Sequence, residues 1–162
     1  MHRFFRFTLF LLTLSLAACD ESELIDAPLT VGGEAYRVTC VSVGNPHCVV
    51  FCKGLDVLDV PTVGPLFEYA PLFPERVNTE FVRFINRTTL RMRVWERGNG
   101  ETLACGTGAC AAVAAAVRNG LCDPGTDVHV KVAGGELVVN YTPERVMLTG
   151  EAVTVFEGEF EY

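Results

Sequence analysis

The sequence predicts an α+β domain in which a mixed, mostly antiparallel sheet wraps around one central buried helix. Three observations carry that expectation. Residues 107–119 are nearly all alanine and valine, and a helix apolar all round must be buried on every side. The segments that flank it alternate polar and apolar residues at period two, the pattern of half-buried strands. Turn clusters such as "GNPH", "RGNGE" and "AGG" separate those segments, and strands gathered around one buried helix make an α+β domain.

At the N-terminus, "MHRFFRFTLFLLTLSLAACDE" sets Arg3 and Arg6 before an apolar run from Phe7 to Leu16, then small residues before Cys19. That is the order of a secretory signal, and "LAAC" has the form of a bacterial lipoprotein signal, with Cys19 as a possible lipidation site. The run falls short of the ~20 apolar residues of a membrane-spanning helix. Against export stands the thiol-rich remainder, which fits a reducing cytosol better. Residues 1–26 therefore read as a signal-like or foreign segment and residues 27–162 as the folded domain. The expected location is the cytoplasm, with export and anchoring through Cys19 as the alternative.

From Glu34 onward, "AYRVTCVSV" alternates, Gly44-Asn45-Pro46 makes a hairpin-like or bulged turn, and "CVVF" continues as a short buried strand. A short helix is expected to begin near Val63 and to stop at Pro71. "NTEFVRFIN" and "TLRMRVWER" alternate again, and "RGNGE" turns the chain towards Cys105. The alanine-rich helix follows, closed by Gly120 in the helix-stop position. "DVHVKV", "ELVVNY", "RVMLTG" and "AVTVFEGEF" read as four further strands.

A chain of 162 residues holds one well-buried domain, since domains most often contain roughly 100–150 residues. The net charge of -7 argues against a nucleic-acid or anionic-membrane surface, both of which reward basic patches. Arg91, Arg93 and Arg97 share a strand face by the two-residue period, and a solvated sheet face explains them. Seven cysteines occur, but no C-x-x-C pair has the second pair or the histidine pair that a zinc site needs, so no metal is expected. Cys48 and Cys52 share a face in "HCVVFC" and read as buried small hydrophobes rather than as a disulfide.

Cys105 is the principal candidate. A thiol just ahead of a helix meets free N–H groups and the positive end of the helix dipole, which should lower a free thiol pKa of ~8.5. Gly106 and Gly108 would let a ligand approach the backbone, with a carboxylate seated where the N–H groups converge. Cys110, inside the helix, reads as core. Glu96 and Arg97 suit a zwitterionic amino acid, one carboxylate for an ammonium and one guanidinium for a carboxylate, although an exposed ion pair explains them as well. Asn45 offers hydrogen bonds, and His47 is a proton carrier or simply a satisfied turn histidine. Asn78 stands just ahead of a strand, where turn capping accounts for it.

In their order, "VSVGNPHCVVF", "FPERVNTEF", "VWERGNGETLACGTGACAA" and "VMLTGEAVTVFEGEF" closely resemble the carboxy-terminal half of diaminopimelate epimerase, over about Leu29 to Tyr162. "CGTG" alone also occurs in proline racemase relatives. The resemblance implies one half of a two-domain fold and a cofactor-independent, two-base epimerase that interconverts LL- and meso-diaminopimelate for lysine and peptidoglycan synthesis. Cys105 would be one of its two acid/base cysteines. Gly106 and Thr107 would bind the α-carboxylate through their amides; Asn45, Asn78, Glu96 and Arg97 would hold the distal amino-acid centre; His47 would be a neighbouring polariser. The family's amino-terminal domain, with its own cysteine, has no counterpart in residues 1–26, so the expected partners are an amino-acid substrate and a missing domain or partner chain, or a second copy. The isolated chain is then expected to be inactive. Competing expectations are a lipid-anchored exported binding module, a non-functional fragment, and another proline racemase-like racemase.

Overall fold

The computed structural model describes residues 13–14, 24–152 and 158–159. After a two-residue strand β1 (Thr13–Leu14), the chain forms β2 (Ala27–Val31), β3 (Glu34–Ser42), β4 (Pro46–Phe51), α1 (Val60–Glu68), β5 (Asn78–Asn86) and β6 (Thr89–Glu96). It continues through β7 (Gly100–Thr102), α2 (Gly106–Arg118), β8 (Asp127–Val132), β9 (Gly135–Thr142) and β10 (Arg145–Gly150). One sheet runs in the order β1-β10-β9-β8-β6-β5-β4-β3-β2. Among the described residues, β4/β5 and β6/β8 are parallel neighbours and the other pairs are antiparallel. The free stretch of β6 beyond β8, at Val94–Glu96, pairs with β7, which leads directly into α2. This is the mixed, mostly antiparallel sheet that the sequence predicts.

Why the sheet curls around α2 follows from side-chain size. Residues 109–116 are all buried, and apart from Cys110 and Val113 they are alanines, whose methyl side chains let strands approach the helix axis from several directions. Val49, Val82, Met92, Val94, Val139, Tyr141 and Val146 close on that helix as one cluster. A second cluster lies on the opposite face, where Val60 and Phe67 of α1 meet Cys48, Val50 and Phe81. There the Phe67 ring stands edge-on to Tyr36 and to Phe81, with centroids 4.9 and 5.6 Å away. Cys48 and Cys52 both adjoin this cluster, as small hydrophobes would.

The ends of α2 match the sequence closely. Cys105 is its N-cap, and past Asn119 the chain turns at Gly120 (φ +69°). Gly120 N–H donates to Val117 O and Leu121 N–H to Ala116 O, the paired bonds that close a helix on a left-handed residue.

Helix α1 and strand β2 differ from expectation. Helix α1 starts at Val60 rather than near Val63, because the Asp59 side chain caps the Thr62 amide and Pro61 preorganises the first turn. It stops before Pro71, as expected. Strand β2 precedes the first expected strand; Gly32 and Gly33, both at positive φ (60° and 86°), fold it back on β3 in a two-residue hairpin. The final expected strand, "AVTVFEGEF", falls mostly on residues 153–157 and 160, outside the described residues. Cys19 and most of segment 1–26 also lie outside them. Among the described residues, no helix is long and apolar enough to cross a membrane.

Candidate active site

Strand alternation determines which polar side chains meet α2. Val49, Val82 and Val94 belong to the α2 cluster, so residues an even number away on each strand share that face: His47 on β4, Asn78 and Glu80 on β5, Glu96 on β6. All four are gathered at the end of the sheet where α2 begins. Parallel register places Asn78 beside His47 and Glu80 beside Val49.

Cys105 leads into the helix with extended backbone (φ −135°, ψ 114°), and its Sγ accepts the Gly108 N–H at 3.3 Å. Thr107 Oγ1 lies 3.5 Å from the same sulfur. Gly106 and Thr107 occupy the first two helical positions, where backbone N–H groups have no helix carbonyl to meet. Beside them opens a cleft of about 340 Å³, lined by Glu96, Ala104, Cys105, Gly106, Thr107 and Cys110, with Val146 and Leu148 of β10 forming its apolar side. A side chain at position 106 would press on Leu148 at 3.0 Å, so glycine keeps this passage open.

The thiol does not behave as the sequence suggests. Burial pushes the Cys105 pKa up, and this outweighs the downward pull of the Thr107 and Gly108 hydrogen bonds; Glu96 and Glu80 push it up further. Cys105 is only 8% exposed, and its desolvated sulfur gains one backbone donor while facing two carboxyl groups. The helix terminus alone therefore does not make it a thiolate at neutral pH. Cys110, one turn inside, is raised to about 11, again mainly by burial.

Asn45, His47, Asn78 and Arg97 stand outside the cleft lining, in two connected groups. In one, Asn78 Oδ1 accepts the Arg97 N–H at 2.9 Å, Asn78 Nδ2 donates to Pro46 O at 3.4 Å, and the Arg97 guanidinium donates to Glu75 O at 2.9 Å. Asn78 thus ties the end of β6 to the start of β4, more than a local turn cap. In the other, His47 Nε2 meets Asn45 Oδ1 at 3.1 Å and Nδ1 meets Glu80 Oε1 at 2.7 Å. Glu96 accepts the Thr102 hydroxyl rather than pairing with Arg97. Arg91 pairs with Asp56 on an exposed face, as a solvated sheet face would have it, whereas Arg93 is held by Glu101 and by the Leu55 and Leu58 carbonyls.

Two buried carboxyl groups, which the sequence does not single out, support the site. Glu80 lies fully buried behind His47. Glu68, 2% exposed, accepts Trp95 Nε1–H at 2.7 Å and the Gly98 N–H at 3.0 Å, which clamps the turn that carries Glu96 and Arg97.

The family model described as "Diaminopimelate epimerase" matches residues 39–155, most of the chain. The chain belongs to the diaminopimelate epimerase family. The diaminopimelate epimerase of Desulfovibrio desulfuricans is 52% identical over 143 residues, 87% of this chain and 49% of that protein. That of Acetivibrio thermocellus is 52% identical over 136 residues, 83% of this chain and 48% of that protein. The chain thus spans about half the length of the curated diaminopimelate epimerases it matches. Among solved structures, a hydroxyproline epimerase from Agrobacterium vitis superposes with a TM-score of 0.54 at 16% identity, over 76% of this chain and 44% of that one. A probable proline racemase from Agrobacterium radiobacter gives 0.54 at 15% identity, over 82% and 51%. These two show that the fold is shared beyond the diaminopimelate epimerase family.

Proposed function

We propose that this chain supplies one wall of a diaminopimelate epimerase active site, with Cys105 as one of its two acid/base residues and no cofactor involved. The observation that carries this reading is Cys105 at the head of α2, beside two helix amides without helix partners, in a cleft also lined by Glu96. The α-carboxylate of the amino acid would accept hydrogen bonds from the Gly106 and Thr107 amides. Removal of the α-proton places charge on that carboxylate, and fixed amide dipoles in a partly dry cleft stabilise it. Asn45, Asn78, Glu96 and Arg97 would hold the distal amino-acid centre, with His47 as the adjacent polariser.

Because its pKa is raised, Cys105 rests as a thiol at neutral pH. It therefore serves first as the acid: its S–H proton passes to the α-carbon on one face, while a second base removes the α-proton from the other face. In the reverse direction the Cys105 thiolate takes that proton back. The second base must come from a covering segment, since Cys105 and Cys110 both belong to this wall.

The test is complementation. The chain alone should form no meso-diaminopimelate from the LL isomer, whereas mixing it with the amino-terminal half of the Desulfovibrio relative should restore turnover that Cys105→Ser abolishes. Turnover by the chain alone that survives Cys105→Ser would overturn the assignment.

A further inference from the structure

Glu80 lies in the middle of the sheet with no exposed surface, yet only one of its oxygens is hydrogen-bonded by a side chain, to His47 Nδ1 at 2.7 Å. Its other oxygen, Oε2, makes no hydrogen bond. Burying a carboxylate with so few partners costs several kcal/mol by general experience, roughly the scale of a domain's net stability. A role in packing alone would favour an apolar residue here. The carboxyl also touches the head of α2: a Cβ at Gly108 would lie 2.8 Å from Glu80 Oε1.

We infer that Glu80 is a positioning residue that sets the polarity of the chain Glu80–His47–Asn45: one proton is shared between Glu80 Oε1 and His47 Nδ1, a second stays on Nε2, and Asn45 is thereby fixed with its amide N–H groups directed away from the ring. A neutral imidazole with its proton on Nδ1 beside an ionised Glu80 would leave an uncompensated negative charge in a fully buried place. The two remaining arrangements, an ion pair or a neutral acid beside a neutral ring, are both net neutral and both keep a proton on Nε2. Asn45 Oδ1, 3.1 Å away, is placed to accept it. Burial, helped by the nearby Glu96 carboxyl, holds the Glu80 pKa up against the downward pull of His47, which favours keeping the shared proton. From α2 the facing group is Cys105, a thiol, which adds no opposing positive charge.

With one lone pair of Oδ1 engaged by His47, Asn45 turns its N–H donors away from the ring, which suits a carboxylate oxygen better than an ammonium group. This assignment rests on the epimerase reading only in giving Asn45 a substrate to meet.

The experiment is long-range 1H–15N correlation NMR on the full chain with 15N-labelled histidine at neutral pH, with the His47 signals identified by their loss in His47→Gln. The unaltered chain should show Nε2 in the protonated range and Nδ1 displaced from the unprotonated position by the shared proton. In Glu80→Gln a neutral amide cannot balance the pair, so one ring nitrogen should move fully into the unprotonated range. An unprotonated Nε2 in the unaltered chain, or a Glu80→Gln spectrum identical to it, would overturn the inference. The unaltered chain is decisive even if the variant fails to fold. No substrate is present, so failure of the epimerase reading leaves this result intact.

Discussion

The Gly108 amide and the Cys105 sulfur are held together by a 3.3 Å hydrogen bond across the first turn of α2, with the Glu80 carboxyl wedged against the same glycine. Any side chain at position 108 would meet Glu80 Oε1 at 2.8 Å and Cys105 Sγ at 3.3 Å. Both neighbours are buried and neither is a flexible chain end. Alanine gains about 1 kcal/mol of helix propensity over glycine but should lose about 1–3 kcal/mol to overpacking. Gly108→Ala is therefore expected to lower the urea midpoint and to change Cys105 alkylation, whereas an unchanged midpoint would show that the helix head is loosely packed.

The raised pKa of Cys105 predicts its reactivity. At neutral pH it should alkylate with iodoacetamide more slowly than an unperturbed thiol, and Cys110 should be slower still. Glu96 contributes negative charge to the site, so Glu96→Gln should lower the thiol pKa and speed Cys105 labelling about two- to tenfold at fixed pH. Peptide mapping by mass spectrometry measures both rates. A Cys105 that labels faster than free thiols would mean that the helix terminus outweighs burial after all.

How much of this is legible in the sequence differs from residue to residue. Cys105 is readable because a cysteine between a turn and an alanine-rich run can hardly avoid capping the helix. Its protonation state is not readable, since it depends on how deeply β10 and the two carboxyl groups enclose the sulfur. Glu80 lies inside "FPERVNTEF" with no chemical role evident from that stretch, yet it has a signal: in "NTEFV" it shares the phase of Val82 and so falls on the core-facing side of the strand. A carboxyl at a core phase is the mark of a buried network. Strand β2 escapes because Pro28 and the short "APLTV" segment look like a loop until the Gly32-Gly33 turn pairs them with β3. Helix α1 is displaced because Asp59 and Pro61 outrank the apolar run as start signals.

Alkaline conditions should destabilise the fold. Cys110 titrates near 9.0 when unperturbed and at about 11 in the folded chain. Between those values the native state retains a proton that the unfolded chain releases. The stabilisation is complete below the lower value and is lost as pH rises through the upper one, on the order of 2–3 kcal/mol in all. Cys52, Cys105 and Cys122 are shifted the same way by burial and steepen the fall, whereas the hydrogen bond between Cys40 and Cys48 lowers the one thiol as it raises the other. Urea unfolding across pH 9 to 11 should show a falling midpoint that Cys110→Ala partly flattens. A level profile would contradict the burial assigned to these thiols.

Glu68 supports the site from behind. Its carboxyl accepts the Trp95 indole N–H and the Gly98 amide and lies 3.6 Å from the Arg76 guanidinium, so it joins α1 to the turn after β6. Glu68→Ala would strand two donors in a partly buried place, at about 1.5–3 kcal/mol for bonds to a charged acceptor. The same change frees the turn on which Arg97 donates its backbone N–H to Asn78 Oδ1. Trp95 is the sole tryptophan in the sequence, so its fluorescence reports directly on this joint. The variant should shift that emission in the folded state, lower the urea midpoint, and weaken turnover of the complemented enzyme through KM more than kcat. If only the midpoint moves, the clamp is structural and the position of Arg97 is fixed by Asn78 and Glu75 alone.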